Sequence, residues 1–204
     1  MATNYRRLVS NLLEFFDFSG RTVVSVGAGG GQLIEYGRPA AKVTAVDKDR
    51  EALDALRERL AMSGLSDKFE LVRSDFLEFR GRADAVLFEF CLHEMPDPSA
   101  ALAHARSLAP AVVVMDHWPG SDWAFVVAEE DKAVAAWAAV LAAGPARTLS
   151  FEAEQSFDGY ETLWQKVHVQ GPKALRRIER YKGSTGITIP MSYGFALLTS
   201  PPRP

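Results

Sequence analysis

A single cysteine, Cys91, in 204 residues excludes an intramolecular disulfide and any zinc site built on several thiolates. Basic charge is also in short supply. The 23 Lys and Arg stand against 26 Asp and Glu, and a formal charge of −3 disfavours a nucleic-acid binder that relies on a strong basic field. No apolar run approaches the ~18 residues of a membrane span. Glu14 and Asp17 interrupt the apolar stretch behind Arg6 and Arg7, so a secretory h-region is lacking and the chain reads as soluble and cytoplasmic. Internal repeats are absent too. What is present is an ordinary globular mixture, 48% hydrophobic and 24% charged, of a length that suits one domain at roughly 100–200 residues each.

Hydrophobic periodicity predicts an amphipathic helix over 4–18, with Asn4 as its N-cap and Leu8, Leu12, Phe15 and Phe16 on one face. Short β-branched or apolar runs follow at 22–26, 42–46, 69–72, 84–90 and 111–115, read as buried parallel strands. Helical patterns separate them, the clearest over 49–62, with others at 32–37 and 99–108. Five such units give an α/β, doubly wound, mostly parallel sheet, with ligands expected beyond the carboxyl ends of its strands. Beyond residue 120 the pattern changes. An Ala-rich helix is expected over 122–142, extended stretches near 147–156 and 160–169, a basic helix near 172–182, and a last strand near 192–199 running antiparallel to the rest. The division is then a cap helix at 1–19, a part built on the parallel strands at 20–120, and a part that completes the sheet at 121–200.

The most informative segment is Val23-Val-Ser25-Val-Gly27-Ala28-Gly29-Gly-Gly31, a glycine run between a strand and a helix start. Glycines let a loop turn sharply and let a ligand lie against bare backbone, while amides at a helix start can face it. The bland reading is a tight turn. Asp47 ends the second strand 20 residues after Gly27, the interval expected for an acid that binds a ribose. Taken alone, Asp47 could equally cap the next helix; the combination favours a nucleoside ligand. Gln32 occupies the place where a dinucleotide fingerprint needs its last glycine, which disfavours a nicotinamide-dependent oxidoreductase. No Gly-Lys-Ser/Thr follows, so a P-loop is excluded.

In order and spacing, residues 20–120 resemble the class I S-adenosylmethionine-dependent methyltransferases. The glycine segment resembles their first motif, and Val46-Asp47-Lys48-Asp49 their acidic second-strand end. Ser74-Asp75-Phe76 is similar to the segment that binds the adenine amino group beside an apolar neighbour. Phe88-Glu89-Phe-Cys-Leu-His93-Glu94-Met-Pro-Asp97 resembles the fourth-strand motif. The resemblance implies S-adenosyl-L-methionine as cofactor, with Gly27, Ala28, Gly29 and Gly31 along its methionine part. It implies Asp47 and Lys48 at the ribose and Asp75 and Phe76 at the adenine. Ser25 is a departure, since the family usually has an acid two positions before the first glycine; Glu89 is the group expected to compensate.

Methyl transfer from a sulfonium disperses positive charge, so the protein mainly aligns the acceptor and excludes water. A base is needed only for a protonated acceptor. Residues at strand ends supply the candidates His93, Glu94 and His117, against the bland readings of loop scaffold and exposed histidine. Asp116, Trp118, Trp123 and Tyr5 are the candidate acceptor contacts, the bland reading of the tryptophans being core packing. His104 and His168 read as structural. The spacing of Cys91, His93 and Glu94 is too compressed for the usual metal motifs, and no metal is expected. The expected partner is a small-molecule methyl acceptor; nucleic acid and membrane are not, and a homodimer is left open. A non-catalytic binder of S-adenosylmethionine or S-adenosylhomocysteine, and an RNA or protein methyltransferase, are the remaining alternatives.

Overall fold

A computed structural model describes residues 5–29 and 31–199. In chain order the elements are α1 (Tyr5–Phe15), β1 (Thr22–Val26), β2 (Lys42–Asp47), α2 (Arg50–Ser63), β3 (Phe69–Arg73), β4 (Ala85–Glu89), α3 (Pro98–Leu108), β5 (Ala111–His117), α4 (Asp122–Val126), α5 (Glu130–Ala142), β6 (Arg147–Gly159), α6 (Tyr160–Val167), α7 (Pro172–Ile178) and β7 (Thr185–Thr199). The strands form one seven-stranded sheet of order β3-β2-β1-β4-β5-β7-β6. Strands β1 to β5 are mutually parallel, and β7 lies antiparallel between β5 and β6. This is the doubly wound, Rossmann-like arrangement that the five apolar runs predict. Strand order reverses between β1 and β4, which places the crevice at their carboxyl ends.

Burial on both faces follows from side-chain alternation along each strand. Val113 and Met115 of β5 join one apolar cluster, with α1, α2, α4, α6 and α7 packed over that side. Val112 and Val114 join the other, under α3 and α5. On the first side, the Phe15 ring of α1 stacks on Phe195 at 5.1 Å, and Asn11 Nδ2 donates to the Tyr193 hydroxyl at 2.6 Å. The predicted cap helix is thereby fixed to β7. Its N-cap Asn4 lies outside the described residues.

Four departures from the periodicity have physical causes. Residues 160–169, expected as extended, form α6 and a 3₁₀ turn that contains His168. Leu163 and Val167, four apart, bury on one helical face, and Thr162 Oγ1 bonds both backbone polar groups of Gly159. The helix expected over 122–142 breaks between α4 and α5, where Ala128 takes φ +65°. Behind the glycine loop only one 3₁₀ turn forms, Ile34–Gly37. The last strand begins at Thr185, several residues earlier than expected, and pairs with β6 over most of its length.

Among the described residues, no helix is long and apolar enough to cross a membrane. Gly194 of β7 sits under two indole rings, and a methyl group there would overlap both Trp118 and Trp137. Gly194→Ala is therefore expected to lower stability by about 1–3 kcal/mol, as overpacking of a filled core does. Urea unfolding of wild type and variant measures it.

Candidate active site

Two cavities open at the carboxyl ends of the parallel strands. The first, of about 290 Å³, is bounded by Gly27, Asp47, Lys48, Asp75, Phe76 and Glu94. Gly27 has φ +64°, and a Cβ there would overlap Cys91, so both conformation and close approach require glycine. Asp47 does not cap α2. That task falls to Asp49, which accepts from the Glu51 N–H at 2.8 Å. Asp47 instead accepts from the Gly29 N–H at 3.3 Å and the Asp49 N–H at 2.9 Å, tying the glycine loop to the end of β2. Asp75 accepts from the Leu77 N–H at 2.8 Å, and Phe76 packs edge-on to Phe88. Ala28 lies within the loop and accepts from the Gly31 N–H at 3.0 Å; Gly31 borders a separate shallow depression.

Beneath this loop Ser25 is fully buried, and its hydroxyl donates to Glu89 Oε1 at 2.8 Å. Withdrawal from water pushes the Glu89 carboxyl up to about 7, against the opposing pull of the Tyr36 and Ser25 hydroxyls. The Tyr36 hydroxyl acts on that charge without itself reaching hydrogen-bond geometry with any described residue. The residue after Glu89, Phe90, holds φ +50°, a left-handed conformation that a bulky side chain adopts at a cost.

The second cavity, of about 140 Å³, is bounded by Tyr5, Leu8, Phe90, His117, Trp123 and Met191, with Gln32, Leu33, Gln155 and Lys166 completing it. Trp123 stacks on Phe157 at 5.6 Å and forms one wall. Trp118 does not join it. Alternation carries Trp118 to the opposite side of the sheet from His117, where it packs edge-on to Trp137 at 4.5 Å. Asp116 points the same way as Trp118 and is sealed from solvent.

Between the two cavities runs a chain of buried polar groups. Asp116 Oδ1 accepts from His93 Nδ1 at 2.5 Å and from the His117 N–H at 2.8 Å, while Oδ2 accepts from the His93 N–H at 2.9 Å. His93 Nε2 stands 3.4 Å from Glu129 Oε2 and 3.4 Å from Glu94 Oε1. His117 Nε2 lies 3.8 Å from the same Glu129 oxygen. Both Glu94 oxygens accept from Lys132 Nζ, at 2.9 and 3.0 Å. Burial alone would lower the His93 pKa, but Asp116, Glu129 and Glu94 outweigh it and push the imidazole up to about 11. Hydrogen bonding to His93, reinforced by Lys132, holds Glu94 at about 2. Burial lowers His117, and its Nδ1 finds no hydrogen-bond partner among the described residues.

The model of a methyltransferase-domain family matches residues 1–177. The chain belongs to this family. Solved structures show the same fold at low identity. A putative methyltransferase from Bacillus halodurans C-125 is 16% identical with a TM-score of 0.71, over 95% of this chain and 98% of that one. A SAM-dependent methyltransferase from Aquifex aeolicus is 18% identical with a TM-score of 0.59, over 97% and 90%. Magnesium protoporphyrin IX methyltransferase from Synechocystis PCC 6803, solved with bound SAM, is 17% identical with a TM-score of 0.56, over 94% and 77%. No curated protein matches the chain by sequence.

Within this candidate site, Glu129 has no counterpart in the sequence motifs. It reaches the interior because the chain breaks at Ala128, and Glu129 then becomes the cap residue that starts α5. The available signal was the acidic pair Glu129-Glu130 interrupting an otherwise Ala-rich stretch.

Glu89 makes stability depend on pH. In the folded chain its carboxyl keeps a proton up to about pH 7, whereas its ordinary pKa is 4.5. The native state thus binds more protons between these values, and stability falls as pH rises from about 4.5 to about 7. Glu89→Gln removes that loss. Thermal melts at pH 5 and pH 8 are expected to show the variant gaining on wild type by up to about 3 kcal/mol, a one-unit shift being worth about 1.4 kcal/mol.

Proposed function

We propose that this chain transfers the methyl group of S-adenosyl-L-methionine to a small-molecule acceptor. The observation that carries the proposal is the pair of cavities at the switch point, one beside the glycine loop and one walled by aromatics, joined by buried polar groups. The cofactor takes the first cavity. Gly27, Ala28, Gly29 and Gly31 would hold its methionine part, Asp47 and Lys48 its ribose, and Asp75 and Phe76 its adenine. Glu89, held by Ser25, stands in for the acid that the family usually places two positions before the first glycine.

The acceptor takes the second cavity. An apolar cavity of about 150 Å³ holds benzene, so the enclosed space suits a single ring or a group of that size. Tyr5 and Trp123 hold the acceptor's apolar part, and Gln32, Gln155 and Lys166 offer polar contacts at the rim. α1 and the residues after 120 supply most of these side chains, which makes them the acceptor-recognising part of the chain. His117 is the polar group presented to the reacting heteroatom. The bound cofactor would supply a methyl group on a sulfonium for in-line displacement, and the residues lining the second cavity would hold the acceptor's lone pair toward it, with S-adenosylhomocysteine as the other product. Alignment and exclusion of water carry most of the catalysis. Asp116 acts by positioning His93 and His117 and does not itself touch the acceptor.

Calorimetry is expected to show S-adenosylhomocysteine binding, and Asp47→Ala to weaken it by about 1–3 kcal/mol, the cost of leaving ribose hydroxyls unpaired. NAD binding of equal strength would sink the cofactor assignment. Incubation with methyl-labelled cofactor and a fractionated metabolite extract then separates enzyme from binder: label appears in a small acceptor, and His117→Ala lowers that transfer without changing cofactor affinity. Tight binding without any transfer would instead mark a non-catalytic cofactor-binding protein.

A further inference from the structure

The buried groups between the cavities also fit a different ligand. Ligand atoms of His93, His117 and Glu129 all lie within 4.8 Å of one another, and all three residues are buried. They come from the turn after β4, the end of β5 and the start of α5, so no sequence motif joins them. Their separations are informative. At 3.4 and 3.8 Å, the two imidazole nitrogens are too far from the shared Glu129 oxygen for good hydrogen bonds. Two ligands of a tetrahedral ion with bonds of about 2.0–2.1 Å stand roughly 3.3–3.4 Å apart. We propose that His93, His117 and Glu129 bind a first-row transition dication such as Zn²⁺.

Three further features support the site. His93 donates through Nδ1 to Asp116, which turns Nε2 toward Glu129 and fixes the ring, the carboxylate–histidine–metal arrangement of many metal centres. Asp116 also fixes the backbone of His117. Lys132 is engaged by both oxygens of Glu94 and leaves Glu129 to the imidazoles.

Two nitrogens and one carboxylate oxygen suit Zn²⁺, Co²⁺ or Fe²⁺ better than Mg²⁺ or Ca²⁺, which prefer all-oxygen shells. Three protein ligands leave a position for water or substrate, as in catalytic zinc sites. Because His117 borders the second cavity, that position faces it. There the ion would take the acceptor's oxygen, nitrogen or sulfur and favour its ionised form, with the proton released to solvent. This consequence rests on the proposed methyl transfer; the metal site does not.

The test is titration of the metal-stripped full chain with Co²⁺, followed by its visible d–d absorption, with no acceptor or cofactor present. One equivalent is expected to bind with micromolar affinity or better and to be displaced by Zn²⁺. Glu129→Gln and Asp116→Asn should each weaken binding at least about tenfold, whereas His168→Ala, far from the trio in sequence and exposed, should leave it unchanged. Circular dichroism establishes that each variant is folded. X-ray absorption on the wild-type Zn²⁺ complex supplies a check that needs no variant, with imidazole scattering from two histidines expected. The proposal is overturned by a folded wild-type chain that binds no Co²⁺ saturably, by unchanged affinity in a folded Glu129→Gln, or by a zinc shell lacking imidazole. S-adenosylhomocysteine binding measured on the same sample tells separately whether the cofactor assignment stands.

Discussion

A carboxylate with no access to water is tolerated only when donors surround it, and Asp116 at the end of β5 is such a group. It takes three hydrogen bonds, two from His93 and one from the backbone of His117. Those bonds hold the turn after β4 against the end of β5 and aim the His93 imidazole toward Glu129. The boundary between the two cavities is built on this one side chain. An apolar replacement would leave three buried donors unpaired, so the arrangement has no gradual way to relax.

The cofactor-facing half was legible because each of its signals is local. A β-branched run that ends in glycines, and an acid 20 residues after the first of them, need no tertiary context to be read. β1, β2 and α2 form within a residue or so of the expected bounds. The rest of the site depends on contacts between distant segments. Glu129 looked like one more helical position among alanines; only the break at Ala128 turns it inward. Trp118 and Trp123 looked equivalent, yet the alternation of β5 sends Trp118 to Trp137 and Gly194, while Trp123 reaches the cavity from α4. Residues 160–169 carry β-branched and aromatic side chains that suggest a strand, and packing of Leu163 and Val167 overrides that preference.

A hydroxyl, Ser25, stands where the family usually has an acid, and a carboxyl, Glu89, lies across the strand pair, joined to it by a 2.8 Å hydrogen bond. β1 and β4 pair in parallel, which brings the two side chains together although 64 residues separate them in sequence.

The place of β7 bears on how the chain comes to be folded. Among the described residues, strand β5 gains its outer neighbour from residues 185–199, and β6 pairs with β7 alone. During synthesis the parallel core can form while β5 still presents a bare, strongly apolar edge, Val112-Val-Val-Met115, to whatever it meets. Closing that edge requires contacts among segments far apart in the chain, the slow kind. The nascent polypeptide is therefore most vulnerable to sticking before residues 185–199 emerge, the interval in which a helper that shields β5 would act.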